Sequence, residues 1–130
     1  MLISILVNFV PIIIAIVLHE VAHGYAAYLL GDDTAKRYRR LSLNPVRHVD
    51  VFGTLILPTL LILSKTGLVF GWAKPVPVDF SRLRNPRRDT LIVAAAGIIT
   101  NIFLAALSAL ALHWVAGLDN SIGKSIASLF

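Results

Sequence analysis

The stretch Leu18–His23 reads LHEVAH, two histidines and a glutamate set within an otherwise apolar run. Upstream, Leu2–Leu18 is interrupted only by Ser4, Asn8 and Pro11, and downstream the helical pattern continues through Tyr28–Leu30 to a glycine stop at Gly31-Asp32-Asp33. Some thirty residues rising about 1.5 Å each make roughly 45 Å of helix, enough to cross a bilayer with tilt, and Pro11 is a place for it to kink. A secretory signal would open with a basic segment, and Met1–Leu18 has no basic residue. The expectation is a membrane helix over residues 2–30.

Composition agrees. Of 130 residues 57% are hydrophobic and 15% charged, with a mean hydropathy of +0.80, which excludes an ordinary soluble domain. The net charge of +5 is concentrated in two clusters, Lys36–Arg47 and Lys74–Arg88, that flank apolar segments. Such placement matches a positive-inside membrane topology, and no groove-reading or aromatic-interleaved motif accompanies it, so a nucleic-acid partner is not expected. Without cysteine a metal would have to be held by His, Asp or Glu.

A second long apolar helix is expected over residues 90–115, uncharged and rich in small residues such as Ala94, Ala95, Ala96 and Gly97, which allow close packing against the first helix. Between the two, a basic loop at 32–51 leads to an apolar segment at 53–70 that is short and broken by Pro58. If that segment crossed once, the two basic clusters would face opposite sides of the membrane; a re-entrant course keeps both cytoplasmic. The basic loop at 71–89 contains GWAKPVPVDF (Gly71–Phe80), whose prolines exclude helix interior and suggest extended chain or an edge strand. The resulting fold class is an all-α integral membrane protein: a multi-pass helical bundle with a re-entrant apolar segment and short extended segments.

On a helix His19 and His23 lie on one face, so their imidazoles can converge on one ion while Glu20 points to the side. This is the H-E-x-x-H arrangement, in which two neutral imidazoles hold Zn²⁺ and the glutamate is the general base for peptide hydrolysis. A packed core histidine is the ordinary alternative, but three ionisable groups in one membrane helix are costly unless something uses them. His19 stands twelve residues before Gly31, about 18 Å into a hydrocarbon layer about 30 Å thick. His48 and Asp50, two residues apart after the turn signal Asn44-Pro45, read as loop contacts rather than a ligand pair. His113 and Trp114 read as interface anchors.

Three stretches, HEVAHGYAAYLLGD (His19–Asp32), RLSLNPVRHVDVFGTLILP (Arg40–Pro58) and FGWAKPVPVDFSRLRNPRRD (Phe70–Asp89) followed by AAAGIITN (Ala94–Asn101), together resemble the site-2 protease family of intramembrane zinc metalloproteases in its short form without a PDZ domain. The resemblance implies His19 and His23 as zinc ligands, Glu20 as catalytic base, and Gly97 with Asn101 as the family's G-x-x-x-N, where Asn101 either holds substrate or joins helices. Val76 and Val78 in the extended stretch are further candidates for substrate contact or packing. The third ligand in this family is an aspartate in an L-D-G context on a later core helix, and the sequence has no such motif. The expectation is therefore the N-terminal part of such an enzyme, truncated before the third-ligand helix, with the activity of the chain by itself left open. It would act on transmembrane segments of membrane-protein substrates in a prokaryotic plasma membrane, its basic loops cytoplasmic. The alternative is a catalytically inactive membrane scaffold or binding protein that retains the fold. A metal transporter is weaker, since it would need more intramembrane ligands than two histidines and a glutamate.

Overall fold

The computed structural model describes residues 2–127, and Ser128–Phe130 of the C-terminal stretch SIGKSIASLF lie outside the described residues. Two long helices dominate, α1 (Leu2–Leu29) and α4 (Pro86–Ala127), joined by a segment carrying the short helices α2 (Thr34–Arg37) and α3 (Leu57–Leu63). No strand forms among the described residues, so the stretch at Gly71–Asp79 is extended chain and not an edge strand. The helix expected over 90–115 is longer at both ends.

α1 runs through Pro11 and stops where the glycine predicts. Gly31 takes a positive φ of 114°, Gly31 N–H donates to Tyr28 O and Asp32 N–H to Ala27 O, a Schellman termination that satisfies two end carbonyls. α4 starts on Asn85-Pro86: Pro86 lacks the N–H that a first helical residue cannot use, and the buried Asp89 carboxylate accepts from Asn85 N–H at 2.9 Å.

The two helices pack antiparallel. His19 meets Asn101, His23 meets Val93, and the small core formed by Ala27, Leu83 and Val93 continues the seam. Both helices are long and apolar enough to cross a membrane, and only 11% of the most apolar window of each is buried. A soluble protein's core helix would be mostly covered; here most of the apolar surface is left to lipid or to other protein.

The basic loop is more ordered than its sequence suggests. Asn44 caps a 3-10 turn at Pro45–His48 by accepting from Val46 N–H, and Asp50 accepts from Gly53 N–H at 2.6 Å, opening a π-helical turn at Val51–Ile56 that runs into α3. The apolar segment returns to its starting point. Trp72 N–H donates to Gly53 O at 3.0 Å, Thr54 Oγ1 donates to Trp72 O at 2.7 Å, and the Phe52 and Trp72 rings lie 5.8 Å apart. Residues 53–72 thus form a loop closed at its base.

Candidate metal centre

His19 and His23 stand one turn apart on α1, half-buried, with ring centroids 4.6 Å apart and planes nearly perpendicular. Their Nε2 atoms approach to 3.0 Å. Both rings face Gly97 of α4, where a Cβ would come within 2.6 Å of His19 Nε2, His19 Cε1 and His23 Nε2. A glycine is required here because any side chain would occupy the space the imidazoles fill.

The outer ring nitrogens are also held from α4. His23 Nδ1 donates to Val93 O at 2.7 Å, and His19 Nδ1 lies 3.1 Å from the Asn101 side-chain amide. Residues 93, 97 and 101 are spaced by four and share one helix face. The glycine serves twice, because a side chain one turn beyond Val93 would lean back over the Val93 carbonyl that His23 reaches. Neutral imidazoles whose far nitrogen is fixed by a carbonyl or amide are what a metal ligand requires.

Glu20 is held from the other side. Its Oε2 accepts from Val76 N–H at 3.0 Å. The extended segment carrying Val76 is braced at Lys74, whose carbonyl accepts from Arg40 Nη2 at 2.8 Å and whose N–H donates to His48 O at 2.8 Å. The Val76 side chain is 7% exposed and packs on Gly24, where a Cβ would come within 2.6 Å of it. Val78 packs against the Ala27–Leu83–Val93 core. Val76 therefore offers its backbone to Glu20 and its side chain to the interior.

A tetrahedral zinc bonded to two imidazoles at about 2.0–2.1 Å sets their nitrogens about 3.3 Å apart. The observed 3.0 Å lies within a few tenths of an ångström of that, so the two imidazoles fit as a ligand pair. A catalytic zinc takes three protein ligands, and among the described residues no group of three His, Cys, Asp or Glu side chains comes together to hold a metal.

The acidic residues nearest in sequence serve the fold. Asp32 is fully buried and accepts from Thr34 N–H, Thr34 Oγ1 and, at 2.7 Å, Asp79 N–H. Burial by itself would raise its carboxyl, but the hydrogen bonds from Thr34 and Asp79, with Arg82 nearby, outweigh burial and hold it below the usual carboxylate value. Asp33 pairs with Arg37 at 3.1 Å and Arg82 at 2.9 Å. Together they clamp the 79–84 segment to the end of α1, where Arg84 N–H also donates to Leu30 O. His48 is buried with Nε2 on Ser42 O, and Asp50 is a cap, so this pair makes loop contacts.

Three participants escaped the sequence reading: the Val93 carbonyl, the Val76 N–H and Arg40. Backbone groups carry no sequence signal. Arg40, the most buried member of its basic cluster, was indistinguishable from its solvated neighbours.

Among known proteins the chain is 42% identical over 96 residues, 74% of its length, to a Bacillus subtilis (strain 168) protein named "Putative zinc metalloprotease YwhC". No family profile matches, and no solved structure does. The matched stretch spans 40% of the relative's length, and over that stretch the chain is a homologue of a protein named for zinc-dependent proteolysis.

Proposed function

We propose that the chain carries the imidazole half of an intramembrane zinc metalloprotease centre of the site-2 protease kind, acting on membrane-spanning segments of protein substrates. The observation that carries this reading is the convergence of His19 Nε2 and His23 Nε2 at 3.0 Å against Gly97, with both outer nitrogens held by α4. His19 and His23 hold the ion, and a third ligand comes from outside the described residues. Zinc, when bound, supplies Lewis acidity and lowers the pKa of water. Glu20, oriented by Val76 N–H, is the base that takes the proton.

The membrane setting rests on the length, apolarity and exposure of α1 and α4. With both basic clusters on the cytoplasmic side, the closed 53–72 loop enters and leaves on that same face. An open groove beside Asn101, lined by Pro11, Ala15, Leu104, Ala105 and Ser108 between the two helices, supplies a lateral approach from lipid. A helical substrate must unwind to be cut, and the extended Lys74–Val78 segment lies beside the base, where unwound chain would run.

The test is zinc per chain and cleavage of a membrane-helix reporter, for the chain alone and with an L-D-G-bearing helix supplied in trans. With that helix, wild-type protein is expected to hold one zinc and cleave; Glu20→Gln keeps the zinc and loses cleavage. Folded protein that is zinc-free and inert in both arrangements would favour the membrane scaffold instead. Cleavage by Glu20→Gln at the wild-type rate would sink the assignment of the base.

A further inference from the structure

The contact between Asn101 and His19 admits two arrangements of hydrogens, and they differ in what they leave for a metal. His23 is the fixed point. Its Nδ1 faces the Val93 carbonyl at 2.7 Å, a group that can only accept, so Nδ1 carries a hydrogen and the Nε2 of the neutral ring carries a lone pair. His19 is free to take either tautomer, because its neighbour is a primary amide that offers a donor on one side and an acceptor on the other.

With the amide nitrogen toward His19 Nδ1 at 3.1 Å, Asn101 donates and the hydrogen of His19 sits on Nε2. That hydrogen then points at the His23 Nε2 lone pair 3.0 Å away. A closed chain results, running Asn101 to His19 to His23 to the Val93 carbonyl, with every donor matched to an acceptor. Its inner link consumes both atoms that would bind an ion. With the amide turned over, Oδ1 accepts from His19 Nδ1–H, and both Nε2 lone pairs face the same point. The turn requires no movement of the helices, because amide oxygen and nitrogen are nearly the same size.

We propose that Asn101 is a positioning residue whose amide, by the atom it presents to His19, decides whether the His19 Nε2 lone pair is available to a cation. This rests on the metal-centre reading above and adds a role that neither substrate holding nor helix gluing requires. A hydrogen-bond partner on the far ring nitrogen is the usual means by which the tautomer of a metal-ligating histidine is fixed, and for His19 that partner is one amide.

Ring ¹⁵N shifts of His19 in the full chain in bicelles, with the L-D-G-bearing helix supplied in trans, before and after zinc is added, test it directly. Asn101→Asp offers oxygen only and is expected to hold His19 as the Nδ1–H tautomer without zinc. Asn101→Leu offers neither atom and is expected to leave the hydrogen on Nε2, toward His23. Wild-type protein should move from the second pattern to the first on adding zinc. Zinc affinity should fall roughly 10–100-fold in Asn101→Leu relative to wild type, with Asn101→Asp restoring it. If the aspartate variant does not insert, wild type against Asn101→Leu still decides both readouts. A purely structural asparagine would leave the His19 tautomer alike in all three proteins, and that result, or equal zinc affinities, would overturn the proposal. Failure of the metal-centre reading shows separately, as zinc binding that His19→Ala and His23→Ala do not reduce.

Discussion

The α1–α4 pair and the 53–72 loop are comparably apolar, yet one is tied by a run of contacts over several turns and the other only at its base. Between the helices a ladder of side-chain contacts runs from Asn101 through Gly97 to Val93. In the loop, Leu60, Ile62, Leu63, Leu68 and Val69 are all exposed, and closure depends on Gly53, Thr54 and Trp72. Hydrophobicity selects the environment of both regions, whereas polar partners and missing side chains fix geometry in only one.

The sharpest way to break this contrast is Gly97→Leu. Its Cβ would lie 2.6 Å from both Nε2 atoms, so the helices must part or the imidazoles must turn away. Zinc binding and reporter cleavage are expected to vanish together, with an overpacking cost of about 1–3 kcal/mol seen in thermal unfolding. Wild-type zinc affinity in Gly97→Leu would show that the seam is not closed at that glycine.

Asp32→Ala should have the next largest effect, at the end of the same seam. It strands the donors of Thr34 and Asp79 and is expected to destabilise by about 2–3 kcal/mol. The sign of its pH dependence follows from the lowered carboxyl. The folded state holds the proton less tightly than the unfolded state, so the stabilisation is complete above the unfolded value near 3.8. It is lost as pH falls from there through the lower folded value. Acid unfolding curves of wild type and Asp32→Asn should therefore converge below that window; curves that stay parallel would remove Asp32 from the account.

Gly53→Ala isolates the loop. The added methyl would run into the Trp72 indole and is expected to open the base, changing Trp72 fluorescence at a cost of about 1–2 kcal/mol, while the His19 and His23 ring shifts stay put. Coupled changes in those shifts would mean that the two regions are one unit. The smallest effect is expected at the tip: Leu63→Ser, at a residue 71% exposed, should shift stability by no more than about 0.5 kcal/mol in detergent. Single cysteines at Arg39 and Arg84 give the bilayer counterpart, since an impermeant reagent should reach both from one side. Labelling from opposite sides would refute the re-entrant course.

Much of this architecture was legible because its signals are local. The stop at Gly31, the turn at Asn44-Pro45 and the shared face of His19 and His23 each follow from a residue type and its neighbours, whereas the start of α4 at Pro86 was placed four residues late. What was hidden depends on partners far along the chain. Asp32 reads as an exit residue until Asp79 is seen donating to it, and nothing in the type of residue 76 signals that its N–H reaches Glu20. The extended stretch around Pro75 and Pro77 was readable as non-helical, but whether it would pair as a strand depended on a neighbouring strand that the sequence could not supply. α4 continues past residue 115 through polar residues, because a helix already propagating needs little further apolar surface to continue.

In the proposed membrane setting, the notch at Gly97 also bears on how the two helices find each other after separate insertion into lipid. No water drives them together there, and a smooth apolar helix could slide along its neighbour at little cost. The imidazole pair and the single gap opposite it act as key and keyway. A slip of one turn, about 5.4 Å, would bring the Val93 or Asn101 side chain against the rings in place of hydrogen. The site-forming residues thus set the axial alignment of the helices, so that assembly of the pair and assembly of the centre are a single event.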